Sequence, residues 1–381
     1  MLLEIHGFSE QPYLIAEPDL IETPRLLVFR DRLDRNISRM QEHSKALDAR
    51  FSLAMLCPHV KTHKSALITR LLMAAGIDYF KATPNEVEML LSAGAKKIFV
   101  SYPLLADTAD RLAREVKSHP ETTFFVQAAH RKHLDVLLEA AERHHIKWNY
   151  FIDLDVGMHR TGIAPELAYP FYQSVSRSEP LQFAGLHGYD GHNHETDPIA
   201  RQKIASAAMR SLINVLREFE KNRVNVPQVI TGGTPGFLED LKVLKDVQMD
   251  SALKVSPGTW IYYDTKSHHI MPGAFEMAAL ILARVIDTPT RETATLNLGH
   301  KRWAIDQGPI EGFSVPEMKA QFWSEEHTVV SHRDGRLDIG DYVLIAPQHV
   351  CSTVNLWEYF TLLGPNGAIE IARCPIEGRN R

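Results

Sequence analysis

Between about Phe51 and Asp264, short apolar runs alternate with helical stretches, and that alternation confines the chain to parallel βα units. Runs near 51–57, 79–82, 97–101, 123–127, 149–154, 183–187, 228–231 and 252–256 predict eight strands. Strands separated by helices in this number predict closure into an α/β (β/α)8 barrel of the TIM type. The segments between them have the right period. Leu134, Leu137, Leu138 and Ala141 follow i, i+3, i+4, i+7, and Ile204, Ala208, Leu212, Val215 and Phe219 trace a second inner stripe, with Lys, Arg and Glu outside. Thr83-Pro84-Asn85-Glu86 predicts a helix start, with threonine as cap, proline in the first turn and glutamate reaching back. Beyond Pro272 the pattern changes to β-rich segments around 274–286, 293–298, 327–332, 341–346 and 368–373, which predict a C-terminal β domain. The expected organisation is an N-terminal segment, 1–30, whose Arg25–Arg30 run pairs with the β domain, then a barrel over 31–268 and the β domain over 269–381.

Composition narrows the function. The 381 residues include 44% apolar and 23% charged side chains with a net charge of −5, the profile of a folded globular protein. No basic stripe calls for nucleic acid. The longest apolar stretches, such as Phe275–Ala283, are too short to span a bilayer, so no membrane partner is expected. Glu4, His6 and Glu10 stand where a signal peptide needs a basic start and an apolar run, which predicts a cytoplasmic protein. Three cysteines, Cys57, Cys351 and Cys374, cannot build a disulfide framework, and reduced thiols fit the same compartment.

A βα barrel works at the C-terminal ends of its strands. Lys61, in Pro58-His59-Val60-Lys61-Thr62-His63-Lys64, closes the first apolar run. If that run is extended, Leu53, Met55, Cys57, His59, Lys61 and His63 share a face that carries an amine from the interior to the mouth. A lysine there loses hydration and becomes a usable nucleophile or imine former; the competing reading is a solvated turn. Gly232-Gly233-Thr234 closes the seventh run and lets backbone amides approach a phosphate, although Gly-Gly by itself also makes plain turns. An imine-forming amine and a phosphate cradle on one rim imply pyridoxal 5′-phosphate. His349 and Cys351, after the strand-like Tyr342–Ala346, share a face if extended and suit a borderline-soft divalent ion. Histidine packed near a cysteine is the plainer reading.

These segments resemble the fold-type III pyridoxal phosphate enzymes, and within them the D-threonine aldolase and D-serine dehydratase group. The segment around Lys61 resembles that group's cofactor-lysine motif, and Asp155-Val156-Gly157-Met158-His159-Arg160-Thr161-Gly162 its Asp-x-Gly-x-His-Arg-x-Gly segment. Gly232-Gly233-Thr234-Pro235 matches the phosphate binder and His349-x-Cys351 the metal pair, all in order over nearly the whole chain. The resemblance implies an alanine racemase-like barrel and β domain, commonly a homodimer, with Lys61 holding the cofactor, Arg160 near its ring and a divalent Zn, Mn or Mg ion at His349 and Cys351. It also implies a lyase on D-3-hydroxy amino acids. Retro-aldol cleavage to glycine and an aldehyde is the leading expectation, with His192 or His194 as base and Tyr189 either packed or hydrogen-bonded beside the ring or simply structural. Dehydration to a 2-oxo acid and ammonia is the alternative. Cys351 leans toward the dehydratases, whereas Tyr189-Asp190-Gly191-His192 looks like the aldolase branch. A racemase or a non-catalytic cofactor carrier are further alternatives.

Overall fold

A computed structural model describes residues 1–175, 179–333 and 336–379. The chain divides into two compact units. One takes Met40–Lys61 and Ile68–Gly258, and the other takes Met1–Arg39, Thr62–Leu67 and Thr259–Arg379.

In the first unit, seven parallel strands form one sheet in the order Ala252–Val255, Gln228–Thr231, Leu181–Gly188, Trp148–Leu154, Thr123–Ala128, Lys97–Val100 and Tyr79–Ala82. Residues 56–59 close the ring. Leu56 bridges Val255 and His59 bridges Lys81, both in parallel sense, so this segment touches the two edge strands at once. Cys57 N–H donates to Val255 O at 2.7 Å, and Lys81 N–H to Pro58 O at 3.0 Å. Inside lies an apolar layer of Cys57, Tyr79, Phe99, Phe125, Phe151, Ala184 and Ile230. Its rings pack tilted, Phe99 on Phe151 at 4.8 Å and Tyr79 on Phe125 at 5.2 Å between centroids.

The helical stripes bury as their spacing predicts. Leu134, Leu137 and Ala141 are buried in helix Arg131–His144, and Ala208, Leu212, Val215 and Phe219 in helix Pro198–Lys221; Leu138 and Ile204 are half-buried. The Thr83 cap also forms, with Thr83 N–H donating to Glu86 Oε2 at 2.6 Å and Asn85 N–H to Thr83 Oγ1 at 3.3 Å.

The expected first strand over 51–57 does not form. Leu53–Met55 is a 3-10 turn, and Lys61 sits on another, Val60–Thr62. Leu56, Cys57 and Val60 are all fully buried, so the two-residue alternation fails because both sides of the segment are covered. Pro58 brings no N–H to a ladder, which restricts pairing here to isolated bridges.

The second unit is built on a sheet ordered Lys319–Trp323, Thr328–Ser331, Thr293–Leu296, Ala279–Thr290, Arg25–Phe29, Tyr359–Leu363 and Ile369–Pro375, with Tyr342–Ala346 also on Ala279–Thr290. Arg25–Phe29 is central and wholly buried, antiparallel to Ala279–Leu282 and parallel to Tyr359–Leu363. Strands Lys319–Trp323 and Tyr359–Leu363 lie outside the runs expected from the sequence. Among the described residues no helix is long and apolar enough to cross a membrane.

Candidate active site

A cavity of about 590 Å³ opens at the strand C-termini of the barrel unit, and Lys61, Arg160, Tyr189, His187, Asp153 and Gln127 are among its walls. The 3-10 turn that carries Lys61 is pinned locally, since its backbone N–H donates to His59 Nδ1 at 3.2 Å. Another cavity, of about 730 Å³, is lined by Asp155, Glu166, Tyr169, Ser211 and Glu218; no lysine stands among its described lining residues, so chemistry favours the first.

Arg160 is placed by a tight loop. Asp155 Oδ1 accepts the N–H groups of Gly157 and His159 at 3.1 and 2.9 Å, and Oδ2 meets His159 Nδ1 at 2.7 Å. Burial would raise the Asp155 pKa, but these hydrogen bonds outweigh it and hold the carboxyl below its usual range. Gly162 (φ +108°) closes the loop where a Cβ would lie 2.5 Å from Asp155 N. The Arg160 guanidinium then stands 5.4 Å from the Tyr189 ring centroid.

Tyr189 links the cavity to the glycine loop, because a Cβ on Gly233 would lie 3.0 Å from its ring. That loop enters helix Phe237–Leu244, whose first N–H donates to Gly233 O at 2.9 Å, and Thr234 Oγ1 accepts from Gly258 N–H at 3.1 Å. Glycines leading into a helix N-terminus are the geometry that takes a phosphate. A lysine amine, a cavity with an aromatic wall and this loop fit pyridoxal phosphate.

Beneath the cavity is a polar layer that none of the sequence motifs announces. Lys81, buried on strand Tyr79–Ala82, reaches His187 Nε2 at 2.7 Å and donates to Ser256 Oγ at 3.2 Å. His187 Nδ1 lies 2.7 Å from Asp153 Oδ1, Asp153 Oδ2 accepts from Gln127 Nε2 at 3.1 Å, and Gln127 Oε1 accepts from Ser101 Oγ at 3.0 Å. Burial lowers the Lys81 pKa to about 7 and, together with the Lys81 charge, the His187 pKa to about 4. Four members of this layer stand two residues after an apolar-layer residue: Tyr79 and Lys81, Phe99 and Ser101, Phe125 and Gln127, Phe151 and Asp153. That spacing is a sequence signal for a polar second layer.

The loop histidines stand differently. Neither His192 nor His194 is among the described residues lining the Lys61 cavity. The His192 ring packs 3.1 Å from where a Gly157 Cβ would stand, and His194 is exposed.

In the other unit, His349 caps the short helix Val350–Val354, so Cys351 lies on that helix and not on the extended segment expected. The helix still brings the two side chains together. Burial acts to lower the His349 pKa, but hydrogen bonds to Cys351 and Asp306 and the charge of Cys351 outweigh this and raise it to about 9. Asp306 Oδ2 lies 2.5 Å from His349 Nδ1, an orienting contact that metal-bound histidines commonly carry. Imidazole and thiol suit a borderline-soft ion, with other ligands needed to complete it. No group of three or more His, Cys, Asp or Glu side chains able to hold a metal occurs among the described residues.

Residues 28–266 match the family model for the alanine racemase N-terminal domain. The chain belongs to this family. Residues 278–363 of this alanine racemase family member match a second model, described as "Putative serine dehydratase domain". It is 25% identical over 369 residues to a 3-hydroxy-D-aspartate aldolase of Paracoccus denitrificans, covering 95% of this chain and 93% of that one. A D-threonine aldolase of Arthrobacter is 25% identical over 346 residues, covering 88% and 87%. Among solved structures, the D-threonine aldolase of Filomicrobium marinum superposes with a TM-score of 0.85 at 25% identity over 94% of this chain and 96% of that one. The fold is alanine racemase-like.

Proposed function

We propose that this family member is a pyridoxal phosphate-dependent lyase that cleaves a D-configured 3-hydroxy amino acid to glycine and an aldehyde. The observation that carries the reading is the convergence of Lys61, Arg160 and Tyr189 on one cavity, with Tyr189 packed on the Gly232-Gly233-Thr234 loop. Aldolase names among relatives that align over most of the chain support the reaction class.

The cofactor, when bound, supplies a sink for negative charge developing at Cα. Lys61 would hold its aldehyde end, Gly232, Gly233 and Thr234 its phosphate, and Arg160 and Tyr189 would flank the ring. With its amine free, Lys61 would carry protons on the cavity wall. His192 or His194 takes the proton of the 3-hydroxyl in this reading. A divalent ion on His349 and Cys351 would supply Lewis acidity. A homodimer in the cytoplasm completes the proposal.

Dehydration is the second reading, favoured by the thiol of Cys351 beside His349 and by dehydratase relatives such as that of a Delftia strain, 22% identical over 379 residues. Incubation with D-threonine separates the readings. Acetaldehyde plus glycine is expected; 2-oxobutanoate plus ammonia identifies the dehydratase, and L-threonine or D-allothreonine a racemase or epimerase. A holoprotein inert toward a panel of D-3-hydroxy amino acids would be a carrier, and the proposal fails.

Elemental analysis after mild dialysis tests the ion. Wild-type protein is expected to retain a divalent metal, His349→Ala to lose it, and Asp306→Ala to bind it about 10–100-fold more weakly. Full activity in metal-free protein that ignores chelators removes the metal from the mechanism.

A further inference from the structure

Lys81 belongs to none of the motifs that suggest the cofactor site, yet it is the cation of the polar layer on which the cavity rests. The Lys81 amine, charged or neutral, has N–H groups to give, and the nitrogen facing it at 2.7 Å, His187 Nε2, accepts one. The other ring nitrogen, Nδ1, faces the Asp153 carboxylate at 2.7 Å and must donate. With a donor on one side and an acceptor on the other, the imidazole has a single arrangement that satisfies both, neutral with its proton on Nδ1. A second, independent feature holds the amine in place. It also donates to Ser256 Oγ, which donates in turn to Gly232 O at 2.9 Å, so the same nitrogen is braced against the glycine loop.

We propose that Lys81 is a positioning residue of the active site, which fixes His187 as the neutral imidazole protonated on Nδ1 and thereby withholds it from proton transfer in the cavity. His187 lines that cavity, and an imidazole at the barrel mouth would otherwise be an obvious acid or base. Locked between Lys81 and Asp153, it contributes shape and no proton. Up to about pH 7 the interior charge sits on Lys81, below the wall, and proton traffic on the cavity wall is left to Lys61. This inference rests on the lyase reading for its role in turnover, but the protonation pattern does not depend on it.

The groups that face the pair come from several strands. Lys81 feels Cys57, Asp153, Lys61 and Arg160 and lies 4.8 Å from the Tyr189 ring centroid and 5.8 Å from that of Phe99; His187 feels Lys81, Asp153 and Arg160, with the Phe99 ring at 5.1 Å. Removing the amine takes away the cation nearest Nε2 while Asp153 remains, so the histidine should accept a proton more readily.

The test is nitrogen NMR of the holoenzyme labelled with 15N-histidine, with the His187 signal assigned by its loss in His187→Gln. Wild-type His187 is expected to carry its proton on Nδ1 and to stay neutral between about pH 5 and 9. In Lys81→Met it should take up a second proton with a midpoint raised by about one pH unit or more. Lys81→Gln, which keeps a donor and loses the charge, should preserve the Nδ1 form with a smaller rise, and provides the readout should the methionine variant not fold. A wild-type His187 protonated on Nε2, or a midpoint unchanged in either variant, overturns the inference. Because the spectra require no turnover, an unexpected product in the D-threonine assay leaves this result standing, and an unexpected tautomer leaves the lyase reading standing.

Discussion

Lys61→Ala is expected to lower turnover by about 10²–10⁴-fold or more, the range that a positioned proton-transferring group contributes. The same variant should lack the visible absorbance of lysine-bound cofactor while keeping the wild-type fold by circular dichroism. Both outcomes follow from the place of the side chain. It is half-buried on a 3-10 turn at the cavity wall, and its backbone is held by His59 independently of the amine. Truncation at Cβ therefore removes the amine and leaves the turn. Lys64, three residues on, controls for simple loss of a lysine. It donates to Gly378 O at 2.9 Å within the other unit, and Lys64→Ala should retain the absorbance. An alanine-61 enzyme that keeps the band would refute the assignment of the cofactor to this amine.

Gly185→Ala should destabilise the protein by about 3 kcal/mol, measured by urea denaturation, from overpacking and left-handed backbone strain together. Gly185 has φ +140°, and a Cβ there would lie 1.9 Å from Gln228 O, a backbone atom of the neighbouring strand that cannot step aside. The position also sets the site. Strand Leu181–Gly188 pairs Tyr150 with Phe183 but Phe151 with Gly185, a one-residue bulge that brings His187 beside Asp153. Without the bulge His187 would align with Leu154, whose side chain points to the opposite face, and the Asp153–His187 contact would be lost. Gly76→Ala is the control, since Gly76 also has positive φ (+97°) but nothing within 4 Å of where its methyl group would stand, and it should cost only about 1 kcal/mol. Equal urea midpoints for Gly185→Ala and wild type would show that the bulge does not need its glycine.

Much of the barrel was legible because its signals are local. Seven of the expected strands form, the stripes on helices Arg131–His144 and Pro198–Lys221 bury, and the Thr83–Glu86 cap closes, each decided by side chains a few residues apart. The run at 51–57 misled for a physical reason. At its end Leu56 and Cys57 are both fully buried, Leu56 bridging an edge strand, and burial of successive residues leaves no period by which an irregular segment can be told from a strand.

The amino-acid sequence by itself determined the barrel, the amine at Lys61 and the glycine loop, since each depends on spacing along the chain. It also brought His349 and Cys351 together, although on a helix where an extended segment was expected. Only the tertiary structure decided that Lys81, His187, Asp153 and Gln127 form one bonded layer under the cavity, because their contacts join strands 26 to 106 residues apart. It alone gave Tyr189 its position against Gly233 and left His192 and His194 off the described cavity wall. Spacing fixes which face of a strand a side chain occupies, but register and a single bulge fix its partner, and in a closed barrel that partner sets charge and proton position.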